Sequence, residues 1–410
     1  MHYSRRVASS RRITDPNIFI VYACIFLLGI AYGVAIALLP LELTRRQFSD
    51  QAMGILTSVF AAGIVTLSLP MGAILRKVSP KHTLLFALFG YALTLAVFPS
   101  LRAPVPVGLS RFADGAFSVA IWVSCETILL ERANQEHRAF ITSLYAMSMA
   151  IGYVLGPLLA KGLVAVAPSA IAFYVAAALA VLSGLIATRL DAIAPHALDE
   201  SKTTSEQGAL SAWALLHKTK TSCFGTFAYG YFQASVVVFL PRFLIRDRNI
   251  PEENTLLVTA FFALGMLLFT NPAGRLGDRY GHLLLMRVLA CVGTLMIGSF
   301  IYLPSFTLMC AAVFVAGASL ASISPVSLAL QGAVTAERDL GRANAIYNAF
   351  YALGMLIGPP ITSVIFTAKG GEAMLLHFVL MWSGFVVFTW VFAADDPRHK
   401  RAAVRAPREA

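Results

Sequence analysis

Three ionisable residues share one otherwise apolar stretch of the chain: Arg111, Asp114 and Glu126. Arg111 and Asp114 are three residues apart, a spacing that sets both on one face of a helix and within reach of each other. Ser118 and Trp122 continue that face, and Glu126 lies near it. Burial and a neighbouring guanidinium pull the proton affinity of a carboxyl in opposite directions. A carboxyl held in that balance can load and release a proton, so Asp114, Arg111 and Glu126 are candidates for proton coupling. The competing readings are an Arg111–Asp114 pair that never titrates, and a Glu126 tied into a charge network with Arg132, Arg138 or Arg76.

A second group of residues could line a binding cavity. Asn344, Tyr347, Asn348 and Tyr351 recur at the spacing of one helical face. Tyr145, Tyr229 with Gln233, Tyr32, and Ser319 with Ser322 add phenol, amide and hydroxyl groups to other apolar stretches. Such a lining suits a moderately apolar or weakly polar organic molecule, whereas a strongly anionic one would want more buried basic groups than Arg111. The alternative for each residue is a hydrogen bond between helices. The five cysteines lie in apolar runs and form no C-x-x-C pair, so they read as small core residues, with no metal site and no cofactor expected. No nucleotide-binding G-x-x-x-x-G-K-[ST] loop, H-E-x-x-H or G-x-S-x-G sequence is present, which argues against an ATP-driven pump and against an enzyme.

The elements that must position these residues are read from hydropathy. The chain is 58% hydrophobic and 13% charged, about half the charged share of an ordinary soluble domain at roughly 25%. Lipid is the solvent in which so much apolar surface is stable. Spans of about 20 apolar residues fall near 17–40, 51–75, 83–100, 104–130, 139–165 and 168–189, and again near 221–246, 254–273, 283–303, 306–331, 341–367 and 372–393. The first follows Arg5, Arg6, Arg11 and Arg12 but is too long for a signal peptide, and reads as a retained helix. With a cytoplasmic N-terminus, 23 Lys/Arg fall on the cytoplasmic side and 8 on the other. That bias places both termini in the cytoplasm and explains the net charge of +11 without nucleic acid.

The two sets of six repeat each other. Gly63, Pro70, Gly72, Gly115, Tyr145, Gly152, Gly156 and Pro157 recur, each 202 residues on, as Gly265, Pro272, Gly274, Gly317, Tyr347, Gly354, Gly358 and Pro359. The partners of Arg111, Asp114 and Glu126 at that offset are Val313, Ala316 and Leu328, so the buried charge belongs to one half. The expected fold is all-α: 12 transmembrane helices in two pseudo-symmetric six-helix bundles, 1–192 and 217–410. A polar cytoplasmic linker at 193–216 joins the halves, which are related by an axis along the membrane normal.

The stretch from Gly274 through Asp278 and Arg279 to Gly281 and His282 resembles the G-x-L-x-D-R-x-G-R loop of the major facilitator superfamily, and the resemblance extends over essentially the whole chain. The first-half copy keeps Gly72 but has Arg76 where the family has aspartate. Arg111 to Gly115 is similar to the family's R-x-x-x-G motif, and Gly152, Gly156 and Pro157 to its antiporter motif, although the same pattern at Gly354, Gly358 and Pro359 favours a helix-packing role. The resemblance implies that the two loops form a cytoplasmic gate, with Asp278 beside residues 138–142 when that side is closed, and that spans 1, 4, 7 and 10 line the cavity. It is greatest to bacterial proton-coupled small-molecule and drug exporters. The expected activity is secondary active transport by alternating access, as proton-driven efflux. The alternatives are a proton symporter taking up a sugar or other nutrient, and a transport-dead sensor or scaffold. Short loops without an N-x-[ST] sequon point to a bacterial inner membrane, where the chain is expected to work as a monomer with a small-molecule substrate, protons and the bilayer as its partners.

Overall fold

The computed structural model describes residues 15–133, 138–191, 210–336 and 339–393, all of them helix or short connection. The helices are α1 (Pro16–Arg45), α2 (Asp50–Ser68), α3 (Met71–Lys77), α4 (Pro80–Val97), α5 (Pro104–Arg132), α6 (Arg138–Val166), α7 (Ser169–Ala187), α8 (Ala212–Arg248), α9 (Glu252–Tyr280), α10 (His282–Ser299), α11 (Phe306–Val334) and α12 (Leu340–Val391). Eleven of them are long and apolar enough to cross a membrane.

Local chemistry sets several boundaries. Asp15 caps α1 by accepting from the Asn17 backbone at 2.8 Å, and Pro16 occupies the first helical position, where its missing N–H costs nothing. Ser49, Ser79, Ser211 and Ser305 cap α2, α4, α8 and α11 in the same way. Gly281 alone separates α9 from α10; its φ of 105° is open to glycine and strained for other residues.

Three elements depart from the hydropathy reading. The expected span 51–75 is interrupted at Leu69 and Pro70, so its last turns form α3, whereas its counterpart around Pro272 runs unbroken through α9. The last two expected spans form the single run α12, kinked where Gly370 takes φ 83°. Residues 193–209 of the expected linker, like both chain tails, lie outside the described residues, and 212–216 already belong to α8.

Within the first half α1 packs on α6 and α7, α2 on α5, and α4 on α5 and α7; in the second, α8 packs on α12, and α11 on α9 and α10. The halves meet mainly where α2 crosses α12 and α6 crosses α9. Close approach rests on glycine. A Cβ on Gly63 would stand 2.1 Å from the Phe112 carbonyl and one on Gly115 2.0 Å from that of Phe60. Gly265 and Gly317 repeat these contacts on Phe314 and Phe262, again 202 residues on. Large apolar side chains such as Phe86, Val105 and Leu380 lie exposed on the outer faces, as a lipid solvent allows. Cys24, Cys125, Cys223 and Cys310 are core residues as expected, but Cys291 is exposed on α10.

Candidate functional site

The residues of the site converge from five helices of the first half. On α5, Arg111 and Asp114 form an ion pair, their side chains only 11% and 7% exposed. The glycine-mediated approach of α2 brings the Phe60 ring within 4.5 Å of the Arg111 guanidinium, a cation–π contact. Ser118 Oγ donates back to the Asp114 carbonyl at 2.5 Å. Asp114 Oδ1 and Arg111 Nε, both buried, have no hydrogen-bond partner. Beside the pair lies a cavity of about 10 Å³ bounded by Ser110, Thr94 and Phe98, which is the room one water needs.

Below this pair sits an aromatic cluster. Tyr32 of α1 stacks on Tyr91 of α4 at 5.0 Å, lies 5.8 Å from Trp122 of α5, and meets Tyr153 of α6 edge-on at 6.0 Å. The Tyr32 hydroxyl and the Trp122 indole N–H are buried without hydrogen-bond partners. Tyr153 lies near Tyr351 and Tyr229 of the second half. On the second-half side Tyr229 stacks on Tyr351 at 6.2 Å, and Tyr351 donates to Gln233 Oε1 at 2.8 Å.

The other sequence candidates divide. Tyr347 donates to the Ser324 carbonyl at 2.7 Å and lies 2.8 Å from Ser327 Oγ, binding α12 to α11. Asn344 accepts from Gln331 at 2.6 Å, while Asn348 on the same helix is exposed. Ser319 and Ser322 turn their hydroxyls back to their own helix, on Val315 and Ala318, and so contribute little to a polar lining. Tyr145 is buried with an unpartnered hydroxyl. Glu126 is exposed, and Arg132, one of its three expected partners, is taken up elsewhere: Arg132 pairs with Asp15 at 3.0 Å and donates to the Asp191 carbonyl at 3.2 Å. Burial works to raise the Asp15 carboxyl, but hydrogen bonds from Asn17 and Arg132 outweigh it and hold the group below its ordinary value. The Arg138 side chain lies outside the described ones.

At the end of the bundle where α9 meets α10, Asp278 Oδ1 lies 3.1 Å from His282 Nε2, its side chain 76% exposed, and Arg279 lies over the Tyr280 ring. A Cβ on Gly72 or Gly274 would meet open space, and Arg76 is exposed. The glycines of the antiporter-like motif press on α1: a Cβ on Gly152 would meet Gly29 at 2.7 Å, one on Gly156 would meet Gly33 at 2.5 Å, and Pro157 closes on Gly33. Gly354 and Gly358 press likewise on the backbones of Phe227 and Tyr231 in α8. Pro359 follows in the same helix, its carbonyl against Gly54 of α2.

The opposite end carries an ion-pair lock that hydropathy did not reveal. Arg242 of α8 pairs with Asp50 of α2 at 2.5 Å and donates to Thr44 at 2.6 Å. Arg45 of α1 pairs with Glu252 of α9 at 2.6 Å, and Lys161 of α6 donates to Asn254 of α9 at 2.9 Å. Each of these joins the two halves. The available signal was the set of opposite charges at the ends of neighbouring spans, which reads equally well as ordinary loop charge.

A family profile described as Major Facilitator Superfamily matches residues 21–221 and, a second time, 222–409. The "Uncharacterized MFS-type transporter YcaD" of Escherichia coli O139:H28 is 23% identical over 348 residues, 85% of this chain and 88% of that protein. Among solved structures, a mutant form of the nucleoside transporter NupG superposes with a TM-score of 0.78 at 16% identity, covering 92% of this chain and 99% of the other. A bacterial homologue of the human lysosomal transporter Spinster, inward-facing and unoccupied, gives 0.75 at 14% identity over 93% and 97% of the two chains. At these identities the structures share the fold. The double profile match along the length of the chain decides the family: this multi-pass membrane protein belongs to the Major Facilitator Superfamily.

Proposed function

We propose that the chain is a proton-driven exporter of a planar organic molecule, working by alternating access with both termini in the cytoplasm and the two halves related by an axis along the membrane normal. The observation that carries the reading is the buried Arg111–Asp114 pair, with one carboxylate oxygen unpartnered, set directly above the Tyr32, Tyr91, Trp122 and Tyr153 cluster. An ion pair without a charged counterpart in the other half is costly in a membrane, and function is its usual justification. Stacked phenol and indole rings favour a flat, moderately apolar substrate. The pair is neutral as a whole, so the site holds no net positive charge for an anion.

The charge bias along the loops supports the orientation. In that orientation the Arg242–Asp50 and Arg45–Glu252 pairs close the external side, so the described arrangement is taken as inward-facing. The substrate would be found first, as a compound that raises the melting temperature of the purified protein. In everted membrane vesicles that compound should accumulate when the vesicle interior is acidic, and the accumulation should vanish when nigericin collapses the gradient. Accumulation that instead requires an acidic exterior would overturn efflux in favour of symport.

A further inference from the structure

The two crossings between the halves are related by the repeat: α9 is the later copy of α2, and α6 the earlier copy of the first limb of α12. Their chemistry differs. At the α2–α12 crossing, Ser58 Oγ of α2 donates to the Leu356 carbonyl of α12 at 2.5 Å. Four residues beyond Leu356 stands Pro360. A helical carbonyl ordinarily accepts from the N–H four residues on, and proline has none. Pro360 therefore frees the Leu356 oxygen, and a hydroxyl from the other half takes it. The residues 202 away are Ala260 on α9 and Leu158 on α6. Ala260 has no hydroxyl and Leu158 has the N–H that Pro360 lacks, so the second crossing cannot make the same bond there. As with Arg111 and Asp114, the repeat does not account for the feature.

The crossing is tight and buried. Ser58 is 7% exposed. One turn earlier on α2, a Cβ on Gly54 would stand 2.7 Å from the Pro359 carbonyl oxygen and 2.9 Å from Ser363 Oγ. Ser58 follows Asp50 by eight residues, about 12 Å along the helix. The bond thus lies inward of the Arg242–Asp50 pair, away from bulk water. It is also easily exchanged. The Gly54 carbonyl of the same helix stands 3.3 Å from Ser58 Oγ, so the hydroxyl keeps an acceptor when Leu356 moves off, as serines within helices do.

We propose that Ser58 and Pro360 form a latch between the halves, which holds the outer side closed and releases as α2 and α12 part. Pro360 presents the acceptor and Ser58 supplies the donor. On release Ser58 falls back on Gly54, and the Leu356 carbonyl is left on the wall of the opening cleft, where water reaches it. Neither group is stranded unpaired in an apolar medium, so the latch resists opening without forbidding it. The inference rests on the alternating-access reading given above.

The test uses the full chain in detergent, spin-labelled at positions 102 and 302 in outer loops of the two halves, with the distance distribution read by double electron–electron resonance. Ser58→Ala should raise the ratio of outward-open to inward-facing protein about five-fold, the effect of one net hydrogen bond. Pro360→Ala gives the Leu356 carbonyl a helical N–H and should raise the same ratio. Ser58→Ala added to Pro360→Ala should then change little, because the two act through one bond. Thr57→Ala is the control: the Thr57 hydroxyl donates to the Met53 carbonyl of its own helix at 2.8 Å, and its loss should leave the distribution as it is. Each ratio is also taken in Asp50→Asn protein, where a larger outward-open population makes a five-fold change readable. An unchanged distribution in folded Ser58→Ala protein, or an equal effect of Ser58→Ala with and without Pro360→Ala, would overturn the latch. If Ser58→Ala does not fold, Pro360→Ala decides alone, and an unchanged distribution there overturns it. A shift with Asp50→Asn but none with these variants leaves alternating access standing, whereas no shift in any variant overturns both.

Discussion

Asp114 holds its place through Arg111, and the converse is also true. Removing one member of a buried pair leaves an uncompensated charge, at roughly 3–5 kcal/mol, while replacing both with apolar groups of similar size can be neutral. Arg111→Leu alone should therefore lower the melting temperature in detergent more than Arg111→Leu combined with Asp114→Leu. Equal losses in the two proteins would mean that the pair is not a unit. Arg111 and Asp114 were legible in the sequence because charge inside an apolar run is rare and costly. Tyr91 and Tyr153, which complete the aromatic cluster, were not: a single tyrosine in an apolar run carries no sign of the ring it will stack against. Nor did the sequence separate Glu126 from Arg132, because only the folded first half brings Asp15 to that arginine.

The glycines set the distances between elements. On α6 a Cβ at Gly156 would fall 2.5 Å from Gly33 Cα of α1, whereas one at Gly162 would meet nothing within 4 Å. Gly156→Ala should push α1 and α6 apart and lower thermal stability, while Gly162→Ala on the same helix should leave it unchanged; equal behaviour of the two in a melting experiment would count against close packing at this crossing. The spacing of these glycines was readable because small residues four apart are a packing signature. Their partners were not, since the contacts of Gly354 and Gly358 on Phe227 and Tyr231 stand 198 residues from those of Gly152 and Gly156 on Gly29 and Gly33, one helical turn away from the 202 of the rest of the repeat. The early start of α8 escaped notice for another reason. His217, Lys218 and Lys220 look like linker in a hydropathy window, yet Ser211 caps a helix that carries them. The α12 kink is likewise the act of one residue, Gly370, between two apolar runs that look separate.

For the whole molecule, alternating access requires the lock at the outer end to be reversible. Asp50→Asn weakens the Arg242 contact and should raise the outward-open population, by up to about ten-fold if roughly 1.4 kcal/mol is lost. Spin labels at positions 102 and 302, in outer loops of the two halves, should then report a longer distance, and an unchanged distance distribution would show that the lock does not hold the state. At the other end, Asp278→Asn should favour the inward-open state, read as greater accessibility of cysteines introduced into the cytoplasmic cavity; unchanged labelling would remove Asp278 from the gate. The most direct test of the central claim is transport by the Asp114→Asn protein in everted vesicles with an acidic interior, using the compound identified by its thermal shift. The wild type should accumulate the compound, and Asp114→Asn should fail to accumulate it while still exchanging labelled for unlabelled compound at equal concentrations on both sides. Accumulation by Asp114→Asn at the wild-type level would contradict the account and leave Asp114 a structural partner of Arg111.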